Sequence, residues 1–346
     1  MAFELGQKVG EYELLDVLER SKSGVSYRVR NVVAQRFETM KLLPQSMQED
    51  NEKMERFVRE IKVHSRLSHP NVVTFYNATV LEGQLLMTTE LVEGSTLAHV
   101  LEAGTVTLPQ AVSYVSQVLS ALSYAHQHGV VHREITPEHI IITPEGVVKL
   151  GGFGLAKGAN DPQLTQAGAV LGSLRYISPE QVKGSTSLDG RADLYSLGVV
   201  LYQMVTGRTP FESKSQFDVM LAHVNQAPQP PLDLQPDLPP ALNEIILKAL
   251  AKDPADRFAS ADEFQAALAA LNLIPRQEST VAKAAPPAPA AQAPGPLAAL
   301  PPLTGAIRNG APPVHLWQLT ELIAAGVFMV IVVTVVVFVL LTVGRR

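Results

Sequence analysis

Residues 124–157 read YAHQHGVVHREITPEHIIITPEGVVKLGGFGLAK. The β-branched residues Val147 and Val148 predict a strand, and this strand runs into the paired glycines Gly151 and Gly152. Glycines at such a place are typical of a tight turn, of a loop that cradles phosphates, or of a site that has lost a charged side chain. The flanking sequence decides between these three interpretations.

The first 273 residues divide into two parts with different patterns. Short strand patterns dominate residues 10–92, which also contain one helical pattern, whereas residues 93–273 are mainly helical. The clearest patterns are the strands YELLDVL at 12–18, VSYRVRN at 25–31 and TMKLL at 39–43, and the helices KMERFVREIKVHSRL at 53–67 and LPQAVSYVSQVLSALSYAHQHG at 108–129. A small β-rich lobe followed by a larger helical lobe predicts a cleft between them, where ligands commonly bind.

The remaining sequence predicts a linker and a membrane helix. Residues 274–320 are rich in proline and alanine, which favours a disordered, semi-extended linker. Residues 322–343 carry no charged side chain and are long enough, at ~1.5 Å per residue, to cross a bilayer. We therefore expect a single-pass membrane protein whose preceding domain faces the cytoplasm, anchored by its tail.

Composition excludes several other classes of protein. The 346 residues contain no cysteine, which rules out disulfides and thiolate metal sites and is typical of a reducing compartment. Lys and Arg number 28 against 33 Asp and Glu, and no basic block is present, so a nucleic-acid partner is not indicated. The start of the chain lacks the charged and apolar regions of a signal peptide.

Seven sequence segments follow one another in a fixed order. They are RFETMKLL at 36–43, RFVREIKVHSRLSHPNVV at 56–73, YAHQHGVVHREITPEHI at 124–140, VKLGGFGLAK at 148–157, GSLRYISPEQ at 172–181, RADLYSLGVVLYQMVTGRTPF at 191–211 and KDPADRF at 252–258. Together they resemble the protein kinase family, in particular bacterial-type Ser/Thr protein kinases. The resemblance implies an α+β, bilobal kinase-like fold over residues 10–273, with an N-lobe at 10–92 and a C-lobe at 93–273.

The resemblance also implies which residues of the small lobe contact a nucleotide. Lys41 matches the lysine that contacts phosphates in kinases, and Glu60 matches its partner on the following helix. In the glycine-rich loop only Gly24 is retained, because Glu19 and Ser21 stand where the first two glycines belong. Without those glycines the backbone approaches phosphates less closely, so nucleotide affinity should be reduced.

The adenine side of the implied pocket is altered too. Thr89 matches the gatekeeper position, and Glu90 and Leu91 match the hinge. Ser26 and Thr39 replace the apolar residues that usually roof the adenine. We therefore predict no firmly bound cofactor, and at most ATP bound weakly and without Mg²⁺.

Four positions that perform the chemistry in kinases have changed. Glu134 stands in place of the aspartate base, Thr136 in place of the lysine near the transferred phosphoryl group, and His139 in place of the metal-binding asparagine. Gly152 stands where the metal-holding aspartate belongs, so the paired glycines mark a missing carboxylate. Because Mg²⁺ requires oxygen ligands, the sequence predicts no metal site.

The same comparison with the kinase motifs shows that residues which stabilise the kinase fold are retained in this sequence. His132 and Phe153 match residues that pack together in the large lobe, Asp193 matches an aspartate that holds the catalytic-loop backbone, and Glu180 with Arg257 matches a buried ion pair. Arg133 lies in the same loop as His132. Structural positions are thus preserved where chemical ones are not.

The sequence leaves three functions open. The first is a membrane-tethered pseudokinase that acts as a scaffold or allosteric regulator, with an active kinase or another signalling protein as its partner. The second is an atypical, slow Ser/Thr protein kinase that transfers the γ-phosphate of ATP and uses Glu134 as base. The third is a nucleotide sensor that needs no metal.

Overall fold

The computed structural model describes residues 3–21, 24–43, 51–104, 106–155 and 173–273. All of them lie within one compact unit, Met1–Glu278. No helix in these ranges combines the length and the apolar composition needed to cross a membrane. The predicted linker at 274–320 and the predicted membrane helix at 322–343 lie outside the described residues, so both remain predictions.

An antiparallel sheet forms the N-terminal part of the unit. Its strands are arranged in the order β1-β2-β3-β4-β6-β5. The strands are β1 Lys8–Val9, β2 Tyr12–Ser21, β3 Gly24–Asn31, β4 Arg36–Leu42, β5 Phe75–Leu81 and β6 Gln84–Glu90. This sheet confirms the β-rich N-lobe that the strand patterns predicted.

Alternation along β4 determines which side chain reaches the cleft. Met40 and Leu42 are buried in the apolar cluster on one face of the sheet, together with Tyr12 and Leu14. Because successive side chains of a strand point to opposite faces, Lys41 projects from the other face. Helix α1, Asn51–His64, packs on that face, where its Phe57 lies in a cluster with Leu43 and Met87.

The larger part of the unit is helical and contains one apolar core. Its helices are α2 Leu97–Glu102, α3 Leu108–Gln127, α4 Pro179–Val182, α5 Arg191–Thr206, α6 Gln216–Asn225, α7 Pro231–Leu234, α8 Pro240–Ala249 and α9 Ala261–Ala269. Nearly every side chain of α5 is buried, as expected for a helix packed on all sides. Helix α3 begins with a capping box in which Thr107 and Gln110 satisfy each other's backbone N–H groups.

A small second sheet brings the paired glycines to the boundary between the lobes. Its strands β7 Ser95–Thr96, β8 Ile140–Ile142 and β9 Val148–Leu150 are antiparallel. Leu150 donates its N–H to the carbonyl of Asn71 and accepts the N–H of Val73, at 2.8 and 2.9 Å. Strand β9 is therefore fixed to the segment that joins α1 to β5, and Gly151 and Gly152 follow directly.

Candidate functional site

The cleft contains an ion pair between the sheet and helix α1. The Lys41 Nζ atom lies 2.9 and 2.7 Å from the two carboxylate oxygens of Glu60. Glu60 is almost fully buried, because it shares the inward face of α1 with Phe57, Val63 and His64. The pairing that the sequence predicted for Lys41 and Glu60 is confirmed, and it holds α1 against the sheet.

A buried carboxylate holds the segment that contains the predicted catalytic residues. Asp193, on α5, accepts hydrogen bonds from the backbone N–H groups of His132 (2.9 Å) and Arg133 (2.7 Å) and from Nε2 of His126 (2.8 Å). Arg133 has a φ of +68°, which is uncommon for a residue other than glycine. Burial raises the pKa of Asp193, but the hydrogen bond from His126 and the other interactions outweigh it, so the pKa lies below its usual value.

Four rings pack in a column from the sheet to this segment. The ring centroids of Phe75 and His64 are 6.0 Å apart, those of His64 and Phe153 5.3 Å, and those of Phe153 and His132 4.7 Å. His132 also donates from Nε2 to the carbonyl of Gly151 at 2.8 Å. The predicted contact between His132 and Phe153 is confirmed, and it is one step of a longer column.

Both histidines of the column are held neutral by their surroundings. Burial lowers the pKa of His132 to about 4. Burial also lowers the pKa of His64, whose Nε2 donates to the carbonyl of Val73 at 2.5 Å. The other ring nitrogen of His64 is buried with no hydrogen-bond partner among the described residues, so a second proton there would lack an acceptor.

The three altered residues of the catalytic segment lie close together. Thr136 is buried, and its carbonyl accepts the N–H of His139 at 3.1 Å. Residues Pro137–His139 form a single 3₁₀ turn. At its end the imidazole of His139 donates from Nδ1 to the carbonyl of Glu134 at 2.9 Å. A short, buried threonine at position 136 has no cationic group to offer a phosphate.

Gly152 lies directly against the ring of His139. A Cβ atom built on Gly152 would lie 2.4 Å from Cγ, 2.5 Å from Cδ2 and 2.7 Å from Nδ1 of that ring. Gly152 also has a φ of +78°, in the left-handed region that favours glycine. The ring of His139 therefore fills the space that a carboxylate side chain at position 152 would need.

The residues present do not fit the magnesium ions that the resemblance implies. Gly152 supplies no side-chain oxygen, and His139 supplies a nitrogen where Mg²⁺ prefers oxygen. Throughout the part of the chain that the structure describes, no three His, Asp or Glu side chains come together in a group able to hold a metal ion.

Gly24, the one glycine that matches the glycine-rich loop, lies too close to the neighbouring strand for any other residue to fit. A Cβ atom on Gly24 would lie 2.4 Å from the carbonyl oxygen of Leu42 on the neighbouring strand β4. Gly24 also has a φ of +139°. Glu19 is exposed on the neighbouring strand β2, where it pairs with Ser26, so a carboxylate lies near the end of this strand pair. Gly24 alone does not restore a phosphate-binding loop.

The hinge contains an ion pair that the sequence did not reveal. Lys149, on β9, places its Nζ atom 2.7 and 3.0 Å from the carboxylate oxygens of Glu90. Glu90 also accepts the N–H of Thr74 at 3.0 Å, and its neighbour Thr89 is buried. Leu91 follows directly after β6 and is partly buried. The side chain of Glu90 thus ties the end of β6 to the strand that leads to Gly152.

The predicted ion pair of the large lobe is confirmed. Arg257 donates from both terminal nitrogens to the two carboxylate oxygens of Glu180, at 2.7 and 2.8 Å. The same side chain donates to the carbonyls of Ala251 and Lys252. Gln181, next to Glu180, donates to the carbonyl of Arg133 at 2.8 Å, a contact that sequence reasoning missed. Helix α4 is therefore attached to the catalytic segment as well as to the end of the lobe.

These features define a class of protein, a two-lobed domain whose cleft contains a lysine–glutamate ion pair. The family model described as "Protein kinase domain" matches residues 12–268. The Myxococcus xanthus serine/threonine-protein kinase pkn3 is 39% identical over 274 residues, which cover 76% of this chain and 50% of that protein. The Bacillus subtilis serine/threonine-protein kinase PrkC is 34% identical over 264 residues, which cover 76% of this chain and 41% of that protein.

Solved structures agree with the sequence relatives. The crystal structure of the Mycobacterium tuberculosis PknI kinase domain is 29% identical, with a TM-score of 0.60, and the match covers 78% of this chain and 99% of that domain. This chain belongs to the protein kinase family, and its relatives are bacterial Ser/Thr kinases. The match spans half or less of the length of the two curated relatives named here.

Proposed function

We propose that this chain is a pseudokinase, a kinase-like domain that binds and regulates another protein instead of transferring phosphate. The contact between Gly152 and the His139 ring is the main support for this proposal. Gly152 lacks the metal-binding carboxylate that the family resemblance places at this position, and the ring of His139 fills the space of that side chain. Phosphoryl transfer depends on metal ions that neutralise the charge of the phosphates. With the glycine-rich turn altered as well, the cleft is poorly equipped for catalysis.

The retained contacts support a binding role. The Lys41–Glu60 pair, the ring column and the Asp193 hydrogen bonds each hold the two lobes or their segments in a defined arrangement. None of these contacts requires catalysis. For the Lys41–Glu60 pair, removing one partner would leave a partly buried charge uncompensated, which typically costs about 3–5 kcal/mol. A rigid kinase-like surface of this kind suits a scaffold or an allosteric regulator, with an active kinase or another signalling protein as its partner.

A phosphate-transfer assay on the full chain tests this proposal. The protein is incubated with labelled ATP, with Mg²⁺ or Mn²⁺, and with generic protein substrates, alongside the Lys41→Met variant. We expect no incorporation of label above that variant. Robust transfer that depends on Lys41 would contradict the proposal.

The second candidate is a Ser/Thr protein kinase that transfers the γ-phosphate of ATP to protein hydroxyls. The names of the relatives favour it, and so does the intact Lys41–Glu60 pair. Glu134 remains a carboxylate at the base position, and a general base is worth about 10²–10⁴-fold in rate. Under this alternative the Glu134→Gln variant would lose activity by about that factor, whereas the pseudokinase proposal predicts no activity to lose.

We also propose that residues 322–343 anchor the domain to a membrane, with the kinase-like domain on the cytoplasmic side. The support is the uncharged composition of that segment. Fractionation of cells that express the full chain should place it in the membrane pellet, and a chain truncated after residue 320 should move to the supernatant. Equal distribution of the two would contradict the anchor.

A further inference from the structure

We propose that the ring of His139 closes the divalent-cation position of the cleft from within, so that His139 and Gly152 act as one packed unit. The inference rests on the proposed function in one respect, the assignment of residues 139 and 152 to the cation side of the cleft. It adds a cause: the position is filled by a side chain of this protein.

The ring has little freedom to move aside. Its position is set at the backbone, where the N–H of His139 bonds to Thr136 and its carbonyl accepts the N–H of Gly151 at 2.9 Å. Because a carbonyl oxygen only accepts, Nδ1 carries the proton in the bond to Glu134. Rotating the ring away would break that bond, and Cγ, the atom nearest to a Cβ on Gly152, is close to the backbone rather than at a flexible end.

The ring of the neighbouring His132 restricts movement of the His139 ring. The ring of His132 lies on one side, with its centroid 6.1 Å from that of His139. His132 is itself fully buried and bonded to the carbonyl of Gly151. A new side chain at position 152 would therefore press His139 against a segment that is already fixed. Overlap of this kind in a packed site destabilises proteins.

A consequence follows for ligands. Restoring the aspartate at position 152 alone should not restore a cation site, because the new carboxylate would meet the His139 ring. Replacing His139 with asparagine at the same time removes the ring and supplies an oxygen ligand. Any nucleotide that the wild-type cleft takes would be bound without a divalent cation.

A double-mutant cycle on the full chain tests the packing. Wild type, Gly152→Ala, His139→Ala and the double variant are unfolded with urea. The strain of alanine at a positive φ is common to both backgrounds and cancels in the cycle. We expect Gly152→Ala to shift the unfolding equilibrium by at least about tenfold more when His139 is present than when it is absent. Equal shifts in the two backgrounds would overturn the inference.

Calorimetric titration with ATP, in Mg²⁺ and in EDTA, tests the cation position in the variants. We expect the affinity of Gly152→Asp to be no higher in Mg²⁺ than in EDTA, and that of Gly152→Asp with His139→Asn to be at least about tenfold higher in Mg²⁺. An Mg²⁺ gain in the single variant, or none in the double variant, would overturn the inference. If the single variant fails to fold while the double variant folds, the clash is supported directly.

These results separate the inference from the proposed function. A wild-type chain that transfers phosphate, with no gain of ATP affinity in Mg²⁺ and with the coupling present in the cycle, would contradict only the pseudokinase proposal. Transfer together with a gain of affinity in Mg²⁺ would contradict both. An inactive wild-type chain with no coupling between positions 139 and 152 would contradict only the packed unit.

Discussion

Asp193 is the residue on which the geometry of the catalytic segment depends most. Its carboxylate accepts two backbone N–H groups and the His126 side chain in a site with no exposure to solvent. Each buried donor left without a partner costs about 1–3 kcal/mol. This role needs no catalysis, so it does not depend on whether the chain transfers phosphate.

We predict that Asp193→Ala lowers the free energy of unfolding by about 3 kcal/mol or more, because three donors lose one acceptor. Urea denaturation measures it. The matched control is Asp16→Ala, whose exposed carboxylate lies 4.0 Å from the guanidinium of Arg28 and should contribute less than about 1 kcal/mol. Similar losses for the two variants would contradict the role assigned to Asp193.

Contacts between individual residues could be predicted from the sequence where both partners belong to motifs of the kinase family. Lys41 with Glu60, His132 with Phe153, and Asp193 with the catalytic segment lie within reach as predicted. The Lys149–Glu90 pair was missed because its partners lie 59 positions apart and neither belongs to a motif that names the other. The His139 ring was also missed, since two substitutions read separately do not reveal that one fills the space of the other.

At the scale of elements, Arg257 connects parts of the large lobe that are distant in sequence. Its guanidinium binds both oxygens of Glu180 on α4, the carbonyl of Arg191 at the start of α5, and two carbonyls of its own loop. A planar group with several donors is required for this geometry. The flat fork of arginine is therefore as important as its charge.

We predict that Arg257→Lys lowers the free energy of unfolding by about 2–3 kcal/mol, because a single ammonium group cannot replace the two-point contact with Glu180. Differential scanning calorimetry or urea denaturation measures it. Lys248→Met, which removes an exposed pair with Glu263, serves as the control and should cost less than about 1 kcal/mol. A full-length chain that tolerates Arg257→Lys as well as the control would refute this.

The elements themselves were predictable from periodicity. The patterns at 12–18, 25–31 and 108–129 correspond to β2, β3 and α3, because alternation and helical spacing are local properties of the sequence. The order of strands in the sheet, with β6 between β4 and β5, is a tertiary property that alternation alone does not determine. The change from strand to helical patterns near residue 93 predicted two lobes, and the family resemblance added their kinase-like arrangement.

At the scale of the whole molecule, buried neutral histidines link stability to pH. Burial lowers the pKa of His64, and it lowers the pKa of His132 and His223 to about 4. Lys41 lowers the pKa of His64 further, whereas Glu60 and Glu90 raise it. The unfolded chain takes up these protons below about pH 6.5, and the folded chain does so only at lower pH.

We therefore predict that stability decreases as pH falls from 6.5 toward 5, by up to about 1.4 kcal/mol per pH unit for each of these histidines. Urea midpoints across this range measure it. His223→Gln should flatten the dependence, because it removes one of the three groups. A flat profile in wild type would contradict the prediction.

Both proposals for the cleft require that it does not bind a divalent cation together with a nucleotide. Calorimetric titration of the wild-type full chain with ATP, once in Mg²⁺ and once in EDTA, tests it most directly. We expect an affinity in Mg²⁺ that is no higher than in EDTA, or no binding in either buffer. Binding at least about tenfold tighter in Mg²⁺ than in EDTA, about 1.4 kcal/mol, would contradict it.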